Sequence, residues 1–409
     1  MNPNQLRQLH ANQIFLALRA NPDISQRDIC RITGFDKSTV SVIINRFEQL
    51  NLIERLQRRP NGLRGRPLET LRISANAGLL AGIHINFDRV VVTIATIDGE
   101  PYDGWEGVLP DTPNEFVINV TSALYALTQK HGRDISEIRC AGLCLPGLVD
   151  ENGVLVFSSY LNWIDVDIPS LFREALPLQF HTDNDTNAAA LAEHLFGACT
   201  ELDDFLLIES SSGIGGGLYL DGRIYRGNTG FAGELGHLKV VPNGHICPCG
   251  ASGCLAAYAT TNALLKRAER FASGITNEDE LFIAARDNVP GIRGLLEEAG
   301  GYVGLVLSNL INSLNPPAVV LSGNLSRLWP WISSGVMRAL TEGTLRASLQ
   351  KTEIIISKLS TSAYPLGGIA LALEGYTSNE PPYASTRQAA GTHTLSNPVN
   401  LPPTAAEDR

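Results

Sequence analysis

The chain has 409 residues, of which 44% are hydrophobic and 18% are charged, and its net charge is −10. These values are typical of a globular protein of two or three domains and exclude a disordered chain. No apolar run reaches the roughly 18 residues of a membrane-spanning helix, and the first residues do not resemble a signal peptide. Because the seven cysteines do not form an evident disulfide pattern, we expect a cytoplasmic protein.

The charge is distributed unevenly along the chain. Residues 1–70 contain eleven Arg or Lys and six Asp or Glu, so this segment is basic. The remainder of the chain must then be strongly acidic. Such asymmetry is typical of a small DNA-binding head attached to an acidic body.

The basic segment has the pattern of a helix-turn-helix. A first helix is indicated by Ile14, Phe15 and Leu18, and a second is predicted from the cap Ser25 to Gly34. A third helix opens at Asp36 or Lys37. In this motif the N-terminal polar residues of the last helix contact base edges in the major groove. The predicted base-contacting residues are Lys37, Ser38, Thr39, Ser41 and Asn45.

Residues 52–74 are two strand-like runs around a turn rich in Arg, Gly and Pro, which predicts a β-wing. Arg64 and Arg66 stand at its tip, where we expect them to enter the minor groove of DNA. The alternative is a three-helix packing module whose arginines face solvent.

Strands and helices alternate from Ile73 onward, which predicts two α/β lobes with a cleft between them. Beyond Tyr376 the sequence is polar and rich in Pro, Ser and Thr, which is typical of disorder. The predicted division is therefore a winged head over 1–72, a body over 73–376 and a disordered tail over 377–409.

A closed metal site is predicted in the body. Cysteine thiolates and a histidine are the ligands of tetrahedral Zn²⁺, and four of them leave no position for a reacting water. Gly250 and Gly253 let the backbone turn back between the cysteines. We expect one structural zinc per chain, although free buried cysteines beside a surface histidine are an alternative. The predicted ligands are His237, Cys247, Cys249 and Cys254.

The spacing His-x9-Cys-x-Cys-Gly-x2-Gly-Cys resembles the signature of the ROK family, which contains sugar kinases and sugar-responsive repressors. Other segments resemble further motifs of that family in the same order; they are Cys144–Asp150, Asp183–Glu193, Ser211–Gly217 and Gly230–His237. The resemblance implies an actin-like, ribonuclease H-type sugar-kinase fold. The family's repressors carry a winged head, and its kinases lack one.

The resemblance also implies sugar contacts by Asn184, Asp185, Glu234 and His237. Paired carboxylate, amide and imidazole groups suit this role because they bond to neighbouring ring hydroxyls. The alternatives are a helix N-cap for Asp185 and an exposed helix carboxylate for Glu234.

Two aromatic residues, Tyr160 and Trp163, offer stacking faces for a sugar ring. In the family a Glu stands where this chain has Ala256, and an Asn stands where it has Tyr160. We therefore do not expect plain glucose; the alternatives are a different sugar, a phosphorylated or acetylated sugar, or no sugar.

Asp185 matches the family's catalytic aspartate, but the Asp-x-Gly-Gly-Thr loop that receives ATP is replaced by His84 to Asp88. Phe87 and Asp88 would oppose phosphate by bulk and charge. We expect no catalytic residue, with Asp185 as a vestigial base position.

These observations predict a sugar-responsive regulator that binds a double-stranded DNA operator, and they favour a repressor over an activator. We expect a homodimer or a tetramer, with a seam near the apolar segment Val303–Leu314 or neighbouring body helices. On DNA the protein would be nucleoid-associated. The alternatives are an ATP-dependent sugar kinase with an added head, and a regulator controlled by a partner protein without a sugar.

Overall fold

The computed structural model describes residues 3–58, 68–86, 88–158, 160–210, 213–359 and 363–379. Its N-terminal head contains α1 (Pro3–Ala20), α2 (Gln26–Thr33), α3 (Lys37–Gln49), β1 (Ile53–Arg58) and β2 (Leu68–Ile73). As predicted, Ser25 caps α2 and Gly34 ends it with a left-handed φ of 72°. Asp36 caps α3 by accepting bonds from the amides of Ser38 and Thr39.

The apolar faces of α1 and α3 meet in the core of the head, where Phe15 and Phe47 are fully buried. β1 and β2 pair antiparallel from Ile53 opposite Ile73 to Arg58 opposite Leu68. β2 ends one residue beyond the predicted boundary at 72, because Ile73 is buried and paired. The predicted groove-binding residues Arg64 and Arg66 lie outside the described residues.

The first lobe of the body follows the head. Its elements are β3 (Leu79–Asn86), β4 (Arg89–Thr96), β5 (Pro101–Val108), α4 (Pro113–Lys130), β6 (Ile138–Leu145), β7 (Leu148–Val149), β8 (Leu155–Ser158), β9 (Trp163–Val166), α5 (Ile168–Ala175), β10 (Phe180–Asn184) and α6 (Asp185–Phe196). The main sheet has the order β10-β6-β3-β4-β5, and β7, β8 and β9 form a small separate sheet.

The second lobe holds the other large sheet, in the order β13-β12-β11-β14-β15. Its elements are β11 (Phe205–Ser210), β12 (Ile214–Leu220), β13 (Arg223–Ile224), α7 (Ala256–Ala259), α8 (Thr261–Ala268), α9 (Glu278–Arg286), α10 (Ile292–Leu314), β14 (Ala318–Gly323), α11 (Asn324–Gly343), α12 (Arg346–Leu349) and β15 (Glu353–Ile356). Each large sheet has three antiparallel strands followed by two parallel ones. This repeated topology is that of the predicted two-lobed sugar-kinase fold.

A final helix, α13 (Ala363–Asn379), returns to the first lobe. It lies directly on the sheet, since a Cβ at Gly142 would be only 2.0 Å from the carbonyl oxygen of Gly368. The helix continues three residues past the predicted start of the disordered tail at 377. Thr377 is buried and its hydroxyl donates to the Leu373 carbonyl at 2.9 Å, which extends the helix.

The apolar stripe of α10 is used inside the chain. Val303, Leu307 and Ile311 are fully buried in the same core as residues of α11, whereas Leu305 and Leu314 remain exposed. Most of the predicted dimer seam is thus already covered. Within the described residues, no helix is long and apolar enough to cross a membrane.

Candidate ligand cleft and metal centre

A cleft of about 1000 Å³ lies between the two lobes. Its walls are built by the carboxyl end of β10, the glycine-rich start of β12, the loop before residue 238 and helix α8. All four predicted sugar-contacting residues line it, namely Asn184, Asp185, Glu234 and His237. Ligands of open α/β sheets bind at the carboxyl ends of strands, which is where this cleft lies.

Asn184, rather than Asp185, is the N-cap of α6. Its Oδ1 accepts from the Thr186 amide at 2.8 Å, and its Nδ2 donates to the Gly147 carbonyl at 2.9 Å. The side chain therefore joins α6 to the neighbouring cleft wall. One amide proton remains available to a ligand.

Asp185 is the first residue of α6 and lies at the floor of the cleft. Burial raises the pKa of its carboxyl to about 6; hydrogen bonds from Thr186 oppose this shift, and the charge of Glu234 adds to it. A carboxyl poised near neutrality is suited to accept a proton from a sugar hydroxyl or to bind that hydroxyl.

Glu234 directly precedes a single 3-10 turn, Leu235–His237, and its side chain is half-buried. Burial raises the pKa of this carboxyl, while the nearby His237 lowers it. The Nε2 atom of His237 lies 3.7 Å from Glu234 Oε2. The two side chains thus face each other at the cleft, from the two ends of the 3-10 turn.

The predicted metal ligands are brought together. The ligand atoms of His237, Cys247, Cys249 and Cys254 all lie within 4.8 Å of one another. Cys249 Sγ is 3.8 Å from Cys254 Sγ, and Cys247 Sγ is 3.7 Å from His237 Nδ1. These separations match the edge of about 3.8 Å expected for a tetrahedron with Zn–S bonds of about 2.3 Å. The donor set therefore fits a tetrahedral metal ion.

Backbone geometry and charge both support this cluster. Gly250 and Gly253 have φ of 86° and 77°, and a Cβ at Gly253 would lie 1.9 Å from the Val241 carbonyl oxygen. Only glycine fits there, as the predicted turns require. Lys239 Nζ lies 2.9 Å from Cys254 Sγ. Its positive charge therefore offsets the negative charge that the cysteines carry as thiolates.

A neutral histidine stands where the family resemblance places the first residue of the Asp-x-Gly-Gly-Thr loop. His84 is buried at the end of β3, opposite Cys144 of β6, and burial lowers the pKa of its imidazole to about 3. It carries no charge at pH 7 and lacks the carboxylate that the aspartate of the family's Asp-x-Gly-Gly-Thr loop would offer to Mg²⁺. Asp88 is largely exposed, and Phe87 lies outside the described residues.

Of the two predicted stacking residues, only Tyr160 lines the cleft, together with Phe157 and Ala256. Trp163 is buried in the first lobe, where it packs edge-on against Phe116 and donates to the Asp111 carbonyl at 3.1 Å. The prediction for Trp163 is wrong, because the indole is covered by core side chains.

The predicted base-contacting residues lie on α3. The hydroxyls of Ser38 and Thr39 both donate to Asp36, and Ser41 Oγ accepts from Gln26 Nε2 at 2.6 Å. In this arrangement the hydroxyl protons of Ser38 and Thr39 are engaged by Asp36, so each hydroxyl oxygen keeps only its acceptor capacity. Lys37 is exposed at the start of the helix.

Comparison with known protein families assigns both the head and the body. A profile described as "ROK family" matches residues 81–375, and one described as "MarR family" matches residues 1–65. The chain belongs to the ROK family. The xylose repressor of Bacillus subtilis (strain 168) is 28% identical over 360 residues, which cover 87% of this ROK chain and 92% of that protein.

Other members of the family are similar at the level of sequence or fold. The DNA-binding transcriptional dual regulator NagC of Escherichia coli (strain K12) is 22% identical over 90% of this chain and 93% of its own. A ROK family transcriptional regulator, described as a homolog of the E. coli MLC protein, superposes with a TM-score of 0.79 at 23% identity, covering 91% and 97% of the two chains. A ROK family glucokinase from Streptomyces griseus, solved with glucose and AMPPNP, has a TM-score of 0.65 at 25% identity and covers 73% and 100%.

Sequence reasoning missed several residues of the cleft. Glu209 is the penultimate residue of β11 and is buried at the cleft wall, and its place near a strand end before a glycine-rich turn was a usable signal. Helix α8 and the residues after it contribute a basic side, formed by Lys266, Arg267 and Arg270. Nothing in the local sequence distinguishes these from ordinary surface charges.

Proposed function

We propose that this ROK protein is a sugar-responsive transcriptional repressor, whose head binds a double-stranded operator and whose cleft binds a sugar. One observation carries the proposal: the winged head shares a hydrophobic core with α13, the helix that lies on the cleft-bearing first lobe. A DNA-binding head fastened to a lobe that bears a ligand cleft has the physical basis for a ligand response. The similarity to a xylose repressor and to NagC supports the same function.

Asn184, Asp185, Glu234 and His237 are the proposed sugar-binding residues. Asp185 and Glu234 accept hydrogen bonds from ring hydroxyls, and Asn184 donates its free amide proton. Ala256 leaves one wall without a carboxylate, so the proposed ligand differs from the glucose bound by family kinases. Tyr160 supplies a stacking face.

The proposed metal is zinc, held by the four-ligand cluster as a structural ion. When bound, it would hold the 237–254 segment in its folded conformation. His237 would then present Nε2 to the cleft while Nδ1 faces the cysteines, so the same residue positions Glu234.

Operator binding is assigned to α3, through Lys37, Ser38, Thr39, Ser41 and Asn45, and to the wing, through Arg64 and Arg66. Because paired half-sites require paired heads, we propose a homodimer. Such a regulator acts in the cytoplasm, on the nucleoid when bound.

The test begins by selecting duplexes from a random pool with the full chain. Anisotropy of a selected duplex is then measured with xylose, glucose and N-acetylglucosamine. We expect at least one sugar to change the duplex affinity by roughly 5–150-fold. Failure to enrich any duplex over random DNA would contradict the proposal.

A sugar kinase is the second candidate, since Asp185 has a pKa suited to a base and a ROK glucokinase has a similar fold. The buried, neutral His84 disfavours it, and we propose that the protein is not an enzyme.

A further inference from the structure

An ion-pair cluster joins three parts of the molecule that are distant in sequence. Arg226 Nε donates to Asp183 Oδ2 at 2.7 Å, and Arg226 Nη2 donates to Glu374 Oε2 at 2.9 Å. His181 Nε2 lies 3.0 Å from the same Glu374 oxygen. Asp183, Arg226 and Glu374 are called the interlobe cluster below.

Asp183 connects the cluster to the cleft wall in the first lobe. Its carboxylate is only 3% exposed, and its Oδ1 accepts from Asn187 Nδ2 at 2.8 Å and from the Asn184 amide at 2.7 Å. Asn184 and Asp185 follow it directly and line the cleft. The position of Asp183 is therefore tied to that of the cleft floor.

Arg226 belongs to the second lobe. It follows β13, and its carbonyl oxygen accepts from the Ala232 amide at 3.2 Å, which closes the base of the loop leading to Glu234. The ion pair with Asp183 thus crosses from one lobe to the other. The wall that carries Glu234 is therefore joined to Arg226 by a backbone hydrogen bond at the base of this loop.

Glu374 connects the cluster to the head. It lies on α13, less than one turn before Tyr376 and Thr377. The Tyr376 ring meets the Phe15 ring of α1 edge-on at 5.8 Å, and Asn12 of α1 donates to the Thr377 carbonyl. The last turn of α13 is therefore in direct contact with α1.

We propose that Arg226 is a positioning residue that couples the ligand cleft to the head through the interlobe cluster. The inference rests on the proposed function and names the route of its ligand response. A planar guanidinium holds its two carboxylates in one fixed geometry, and separating it from a buried carboxylate is costly. The cluster therefore favours discrete arrangements over gradual deformation, so that α13 and the head follow the lobes.

The first test needs neither ligand nor operator. Hydrogen exchange of the full chain is compared among the wild type, Arg226→Lys and Glu374→Gln. Arg226→Lys keeps the charge but loses the two-carboxylate geometry. The control is Arg338→Lys, which alters the exposed pair with Glu297 on the far helices.

Arg226→Lys and Glu374→Gln should speed exchange by roughly threefold or more in both the 225–234 loop and α1, with β3 and β11 unchanged. Faster exchange confined to residues near the cluster would overturn the proposal. So would an equal increase across all core strands, because that pattern indicates global destabilisation.

The second test uses a selected duplex and the sugar to which the wild type responds most strongly. Glu374→Gln should bind the duplex and the sugar as the wild type does, yet retain less than about a third of the sugar's effect on duplex affinity. A full response in this variant would contradict the coupling route. A wild type that responds to no sugar contradicts the proposed function instead, and the exchange experiment still decides the role of the cluster.

Discussion

His237 faces two sites because its ring nitrogens point in different directions. Nδ1 lies 3.7 Å from Cys247 Sγ, while Nε2 lies 3.7 Å from Glu234 Oε2. A metal-bound imidazole commonly donates its other N–H to a carboxylate, which fixes the ring orientation. The metal cluster is thereby expected to position Glu234 without taking part in ligand chemistry.

At the residue scale, we predict that Cys249→Ser lowers the stability of the body. Removing one of four donors weakens metal binding, which contributes to the folding free energy, and the loss should be on the order of 2 kcal/mol or more. Thermal unfolding and metal analysis of purified protein check this. The control Cys30→Ser changes a cysteine of the head and should retain the metal. Full-length protein purified without chelator and found free of zinc would refute the assignment.

Asp185 gives a pH-dependent prediction. Burial raises the folded pKa to about 6, above the ordinary value of 3.8. Between these values the folded state holds a proton that the unfolded state has lost, so this group's contribution to stability falls as the pH rises through that window. Asp185→Asn should therefore stabilise the protein by about 3 kcal/mol at pH 7 and by much less at pH 4. Denaturant unfolding at both pH values tests this, with the exposed Asp88→Asn as control. An equal effect at both pH values would contradict it.

Residue chemistry was predictable where it depends on spacing along the chain, and less so where it depends on packing. The clustering of His237, Cys247, Cys249 and Cys254 follows from their spacing and from two glycines with positive φ. By contrast, Trp163 is covered by Phe116 and other core residues that are distant in sequence. The hydroxyls of Ser38 and Thr39 both donate to the cap Asp36. These hydrogen bonds determine whether the two hydroxyls can donate or accept a further bond.

At the element scale, α13 is the main difference between expectation and structure. Its segment contains Gly367, Gly368 and Gly375, which lower helix propensity, and it has no clear amphipathic stripe. The structure explains the glycines and the missing stripe together. The helix packs against the sheet on one side, against α6 on another and against the head on a third. Such a helix has no polar face from which its period is easily read.

Because the head and α13 share a core, removing the head should have two effects. A chain that begins at residue 74 should lose operator binding, since α3 and the wing are absent. It should also be less stable than the full chain, because Tyr376 and Ile369 lose their apolar cover.

Anisotropy with a selected duplex and thermal unfolding of the truncated chain test these effects. Retained metal content and circular dichroism serve as controls for folding. Normal operator binding by the truncated chain would show that the head is not the DNA-binding element.

At the scale of the whole molecule, the repeated sheet topology and the cleft between the sheets were predictable from the alternation of strands and helices and from the family motifs. The contacts between the two lobes could not be predicted in this way. Asp183, Arg226 and Glu374 are separated by 43 and 148 residues. No local pattern relates such positions, and only the folded chain brings them together.

We predict that no sugar is phosphorylated at a useful rate. Positioning and charge neutralisation carry most of the catalysis in phosphoryl transfer, and a neutral His84 supplies neither to Mg²⁺-ATP. A coupled assay with ATP across common hexoses, pentoses and N-acetylhexosamines should give the same rate for the wild type and Asp185→Asn. ATP-dependent phosphorylation that Asp185→Asn abolishes would establish the kinase instead.

The central claim is that the cleft senses the ligand to which the head responds. Its most direct test is the affinity for a selected duplex, with and without the most effective sugar, of the wild type, Glu234→Ala and the control Glu342→Ala, which alters an exposed residue of α11. We expect all three proteins to bind the duplex equally without sugar. With sugar, the wild type and Glu342→Ala should change affinity by roughly 5–150-fold, whereas Glu234→Ala should change little. An equal response of Glu234→Ala and the wild type would mean that the cleft is not the sensor.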